Sequence, residues 1–152
     1  MGIINGKTIC QVALVVQDIE TVAKKYAKLF GVEVPNIFTV PPQEEAHTKY
    51  RGVATNTRAK LAVFDLGQIV LELTQPDEHP SSWKEQLDEK GVGVHHIAFM
   101  TEDRTPIVEY FEENEMPIRH YGEYPGGNYT VFDSAKDLGV LVQVKEEKKR
   151  ED

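Results

Sequence analysis

One cysteine, Cys10, is the whole thiol content of the 152 residues, so no disulfide can close within the chain and the cytoplasm is the expected compartment. Long apolar runs are missing as well. No stretch approaches the ~20 residues of a membrane helix, and the start, Met1-Gly2-Ile3-Ile4-Asn5-Gly6-Lys7, lacks the basic region and apolar core of a secretory signal. Basic charge is scarce: 17 Lys and Arg stand against 25 Asp and Glu, a formal charge of -8. That balance repels phosphate backbones and anionic lipid heads, so neither nucleic acid nor a membrane is an expected partner. The one basic cluster, Lys145 to Arg150, is diluted by Glu146 and Glu147 and reads as a solvated, frayed C-terminus. Glycine patterns for phosphate binding are also lacking, and Tyr124-Pro125-Gly126-Gly127-Asn128-Tyr129 reads as an ordinary turn.

What is present is enough chain for one domain, 1–152, with a core of its own. Residues 8–16 are β-rich, and an amphipathic helix from about Asp18 to Phe30 follows, with Asp18 as its cap and Gly31 as its stop. Strands are expected at 35–40, 48–54, 59–65 and 68–74, the last two turning at Leu66-Gly67. The second half begins again in the same order. Val92 to Thr101 reads as a strand, Asp103 can cap a helix reaching about Asn114, and strands follow near 117–121, 128–133 and 139–145. Gln11-Val12-Ala13 stands against His96-Ile97-Ala98, and Asp18 against Asp103, both 85 residues apart; Asp65-Leu66-Gly67 echoes Asp137-Leu138-Gly139. A repeated unit of this kind implies a pseudo-twofold pair, about 8–75 and 92–146. Between the halves, Gln75 to Gly91 supplies a turn and a short helix from near Ser81.

Strand alternation then decides which side chains meet. His96, Ala98 and Met100 share one face, with His95, Ile97 and Phe99 on the other, and Gln11 is the repeat-equivalent of His96. Glu72 and Gln143 are the polar residues that interrupt the two final strands of the halves. Each of the four could be satisfied separately in a core, a strand histidine by a backbone carbonyl for example. A buried polar residue is costly without a partner, though, and glutamate is seldom buried alone, so four brought together by a repeat suggest one shared site.

The segments Gln11-Val12-Ala13-Leu14-Val15-Val16-Gln17-Asp18, Leu66 to Pro76, Gly91 to Phe99 and Asp137 to Val144 together resemble the vicinal oxygen chelate superfamily, that of glyoxalase I, the bleomycin resistance proteins and methylmalonyl-CoA epimerase. The resemblance covers about residues 8–146. It implies an α+β fold of two paired βαβββ modules whose mixed sheet curls around a cavity, commonly as a homodimer. It also implies a divalent metal ion (Ni, Co, Zn or Mn) held by Gln11, Glu72, His96 and Gln143, with Glu72 as the catalytic carboxylate. The implied chemistry is metal-assisted abstraction of a proton alpha to a carbonyl, in a lyase or isomerase of small carbonyl or thioester compounds. Two departures stand out, because family sites commonly offer histidine at the first position and glutamate at the last, whereas Gln11 and Gln143 are neutral. The alternative is a metal-free ligand-binding module of the bleomycin-resistance type. A second carboxylate could come from Glu44 or Glu45, and Arg51, Arg58, Lys60 or Arg119 could meet an anionic group or serve as surface charges. Trp83 suits either a pocket mouth or a helix core.

Overall fold

The computed structural model describes residues 2–4 and 6–148. Strand β1 (Gln11–Val15) leads into α1 (Ile19–Phe30). Asp18 caps that helix by accepting from the Thr21 N–H at 3.1 Å, and Gly31 ends it at φ 67, a left-handed conformation open to glycine at little cost. Its buried face, Ile19, Ala23 and Ala27, packs on Ala62, Phe64 and Leu73. Then come β2 (Phe38–Thr39), the one-turn helix α2 (Gln43–Ala46), a small hairpin of β3 (Lys49–Tyr50) and β4 (Val53–Ala54), β5 (Lys60–Asp65) and β6 (Val70–Gln75). A connector helix, α3 (Ser82–Lys90), precedes the second half: β7 (Gly93–Thr101), α4 (Thr105–Glu113), β8 (Ile118–Tyr124), β9 (Gly127–Phe132), the one-turn α5 (Ala135–Leu138) and β10 (Leu141–Glu147).

The ten strands of the described residues form one mixed sheet in the order β2-β5-β6-β1-β7-β10-β9-β8-β3-β4. The halves meet at the antiparallel pair of β1 and β7, where Gln11 faces Ala98, Val12 faces Ile97 and Ala13 faces His96. Exchanging each residue with the one 85 positions away returns the same pairs, so the pseudo-twofold axis runs between Val12 and Ile97. On either side lies a parallel partner, β6 against β1 and β10 against β7. Ala13 pairs with Glu72 and Ala98 with Gln143, which makes Glu72 and Gln143 equivalents. Helices α1 and α4 cover one face of the sheet, α4 burying Ile107 and Phe111 against Phe132, Val142 and Val144. The opposite face curls around a cavity. No helix among the described residues is long and apolar enough to cross a membrane.

Four expectations are corrected. The segment 48–54 is no strand of the first half but a hairpin that leaves it and pairs β3 with β8. Its two-residue turn, Arg51 at φ 49 and Gly52 at φ 80, matches the twist of paired strands. His95 does not share a face with Ile97, because the β1–β7 register shifts between Ala13 and Leu14: Leu14 pairs with Val94, His95 becomes the extra residue of a β-bulge, and its ring turns inward. Asp103 accepts from the Thr105 N–H at 2.9 Å, but the helix boundary residue is Arg104 and no side chain caps it. Lys145 to Glu147 are not frayed, since β10 continues through them; Lys149 and Arg150, the end of that basic cluster, lie outside the described residues.

Candidate functional site

The curled sheet encloses a cavity of about 540 Å³. Leu61, Val63 and Val40 give it apolar walls, and Gln11, Glu72 and Gln143 supply polar groups. The polar groups converge because the residues directly between them in the register are Ala13 and Ala98, too small to hold the longer side chains apart.

Three of the four expected residues are joined directly. Gln11 Nε2 donates to Glu72 Oε2 at 2.8 Å, and Thr74 Oγ1 donates to Glu72 Oε1 at 3.3 Å. Gln11 Oε1 stands 2.9 Å from His96 Nε2. Gln143 pairs with Ala98 on the neighbouring strand and is near enough to His96 to act on its imidazole, while its buried Oε1 makes no well-formed hydrogen bond. Burial raises the Glu72 carboxyl above its ordinary range, against the opposing influence of the Lys145 charge and of the bonds from Thr74 and Gln11. Its hydrogen-bond donors are all neutral, so nothing in contact holds it ionised.

Behind this set runs a line of buried polar groups for which the strand pattern offers no signal. His96 Nδ1 lies 2.7 Å from His95 Nδ1, His95 Nε2 lies 3.1 Å from Ser82 Oγ, and Ser82 Oγ lies 2.8 Å from His120 Nδ1. His120 Nε2 then reaches Tyr129 Oη at 3.2 Å. Burial drives the His95 and His120 imidazoles down to about 3, and His96 well below its usual value, so all three are neutral near pH 7.

Neutral rings carry one hydrogen each, and one backbone group decides where every one of them sits. The Ser82 N–H donates to His120 Nδ1 at 3.2 Å, which places the His120 hydrogen on Nε2, facing Tyr129. The Ser82 hydroxyl also donates to Nδ1, so its oxygen accepts from His95 Nε2. His95 Nδ1 is then an acceptor, His96 Nδ1 the donor to it, and His96 Nε2 carries a bare lone pair.

That lone pair faces Gln11 Oε1, another acceptor, with Gln143 Oε1 and the Glu72 carboxylate nearby. Oxygen and nitrogen lone pairs turned toward one another call for a cation. A histidine that binds metal through one nitrogen and donates from the other to a second group is a recurring arrangement, and His95 fills that second role. The donor set therefore fits a divalent ion, with the single Glu72 charge offsetting half of the ion's own. The one cluster of three potential metal ligands of the His, Cys, Asp or Glu kind among the described residues lies elsewhere, at Asp77, Glu78 and His79.

Other expected residues are not brought to the cavity. Glu44 and Glu45 are exposed on α2. Arg51 pairs with Glu85 at 2.7 Å, Arg58 Nε donates to the Val40 carbonyl at 2.8 Å, Arg119 pairs with Asp133, and Lys60 is exposed. Trp83 takes the helix-core place of the two open to it, packing α3 against Val15, Val40 and Ala59, and from there it also lines the cavity. Lys145 lines the cavity as well, its ammonium 5.8 Å from the centre of the Tyr124 ring. Glu123 and Glu147 also line it; Glu123 is bonded to His47 and Tyr121, and Glu147 accepts from Tyr124.

Solved structures resemble the chain over nearly its whole length. A hypothetical protein from Bacillus halodurans aligns with a TM-score of 0.65 at 17% identity, covering 95% of this chain and 97% of its own. Methylmalonyl-CoA epimerase from Mycobacterium tuberculosis aligns at 0.64 and 14%, covering 99% and 94%. A methylmalonyl-CoA epimerase in complex with methylmalonyl-CoA and NH4+ aligns at 0.62 and 21%, covering 93% and 98%. At such identities the likeness is one of fold. No curated protein matches the sequence. The family profile for the glyoxalase/bleomycin resistance protein/dioxygenase superfamily, however, matches residues 10–132, from the residue before β1 to the end of β9, and so the chain belongs to that superfamily.

Proposed function

We propose that the protein is a glyoxalase-like lyase or isomerase that removes a proton alpha to the carbonyl of a small carbonyl or thioester compound, with Glu72 as the base. The observation that carries this reading is a carboxylate opening onto a 540 Å³ cavity, with its proton affinity raised by burial and only neutral donors on it. A base is most effective when its pKa lies near the working pH, and burial moves Glu72 in that direction. In the step, the C–H electron pair moves onto the carbonyl to give an enolate or enediolate, and the proton moves to Glu72. A divalent ion held by Gln11, Glu72, His96 and Gln143 would supply Lewis acidity to the carbonyl oxygen.

Exchange of the α-proton in D2O, followed by NMR for methylmalonyl-CoA and for the hemithioacetal of glutathione and methylglyoxal, tests the reading. Glu72→Gln is expected to reduce exchange at least about a hundredfold, the lower range of a general-base contribution; exchange that survives it sinks the assignment. The direct Gln11–Glu72 bond favours a second reading, a metal-free binding module, for which the same experiment would give ligand binding without exchange.

A further inference from the structure

Two hydrogen-bond donors on the inner wall have nothing to donate to. Trp83 is 3% exposed, and its indole N–H is buried without an acceptor. Tyr129 accepts from His120 Nε2, as the hydrogen count along the Ser82 line requires, and its own hydroxyl hydrogen has no acceptor among the hydrogen bonds of the described residues. Both side chains line the cavity, their ring centres 6.2 Å apart. Unpaired buried donors are rare in native interiors, and two side by side on a cavity wall point to a ligand group that accepts from both.

We propose that the Trp83 indole N–H and the Tyr129 hydroxyl form a two-donor cradle for an anionic oxygen of the cavity's ligand, a carboxylate or enolate oxygen. The cradle is rigid. The Trp83 ring packs on His120 with centres 4.3 Å apart, and His120 in turn is held by Ser82. The Tyr129 ring lies over Gly122, its cross-strand partner, where a Cβ would come within 2.4 Å of the phenol oxygen. Donors fixed before the charge develops are the effective ones, because no reorganisation is needed when it does. Lys145 shares the cavity with Glu72, Glu123 and Glu147, so an anionic oxygen held there depends on donors aimed at it rather than on net charge. The proposal rests on the cavity being the ligand site of the function above, and it names the group that would receive the oxygen once the proton has left for Glu72.

The chain has one tryptophan, so its indole N–H gives a single resonance in a nitrogen–proton correlation spectrum. Oxalate and malonate serve as probes, titrated with zinc present and again in EDTA. The expected result is a saturable downfield shift of the indole proton in both conditions, and at least about tenfold weaker oxalate binding in Tyr129→Phe, the loss of one hydrogen bond to a charged oxygen. Gly122→Ala, which keeps the phenol and displaces it, should weaken binding as well. An indole resonance unmoved by either probe, or oxalate affinity unchanged in Tyr129→Phe, overturns the cradle. Because Glu72→Gln is read by α-proton exchange and Tyr129→Phe by oxalate affinity, either assignment can fail without the other.

Discussion

Ser82 governs more of the site than any residue that lines it. Its backbone N–H and hydroxyl both donate to His120 Nδ1, and its oxygen accepts from His95, so a single residue fixes the tautomers of three buried rings. Ser82→Ala removes the hydroxyl but keeps the backbone donor. The His95 Nε2–H is then left without its acceptor, which costs roughly 1–3 kcal/mol and lowers the melting temperature by about 2–4 °C per kcal/mol in a chain of this size. Imidazole nitrogen shifts offer the sharper check, since His95 should lose its single tautomer while His120 keeps its own. At this scale, Gln11, Glu72, His96 and Gln143 were legible because each breaks an apolar strand at repeat-equivalent positions. His95 was not, because alternation assigns faces only while the register holds, and the bulge that turns it inward has no marker in Val94-His95-His96. Ser82 and Tyr129 sit in a connector and a hairpin, where no periodicity says what they face.

Among the elements, the hairpin of β3 and β4 connects parts that chain order keeps apart. It pairs with β8 of the second half, and through Tyr50 and Arg51 it grips Glu85 on α3. That grip steadies the helix that carries Ser82 and Trp83. Glu85→Ala is expected to cost up to about 1 kcal/mol, since Arg51 is half exposed, and to speed amide exchange in α3 more than in α1. A larger effect belongs to Gly52→Val, because φ 80 is closed to a β-branched residue; the hairpin should detach from β8, measured as loss of exchange protection at the Arg51 N–H bonded to the Arg119 carbonyl. The helices were legible from caps and stops, Asp18 and Gly31 above all. The hairpin was not, since its strands are two residues long and their partner lies in the other half.

The architecture of the whole molecule followed from repetition. Val12 and Ile97, 85 residues apart, lie at the pseudo-twofold between β1 and β7, and the offset between Gln11-Val12-Ala13 and His96-Ile97-Ala98 is that symmetry written in the chain. Stability should depend on pH with a definite sign. His120 titrates near 3 when folded and at about 6.5 when unfolded, so between those values the unfolded chain binds more protons. Its contribution is complete above about 6.5 and is lost as pH falls toward 3. Urea unfolding measured from pH 7 to pH 4 should show stability declining across that window, and His120→Phe should make the decline shallower.

The connector α3 lies outside both repeats, yet it delivers Ser82 and Trp83 to the inner wall of the sheet. A cavity made from the two βαβββ units alone already differs across its dyad, with the Glu72 carboxylate on one side and the neutral Gln143 on the other. With α3 in place, an indole and a serine hub are added from outside the repeat, and the interior becomes more strongly handed. A bound molecule then has a fixed front and back, which determines which of its carbons is turned toward Glu72.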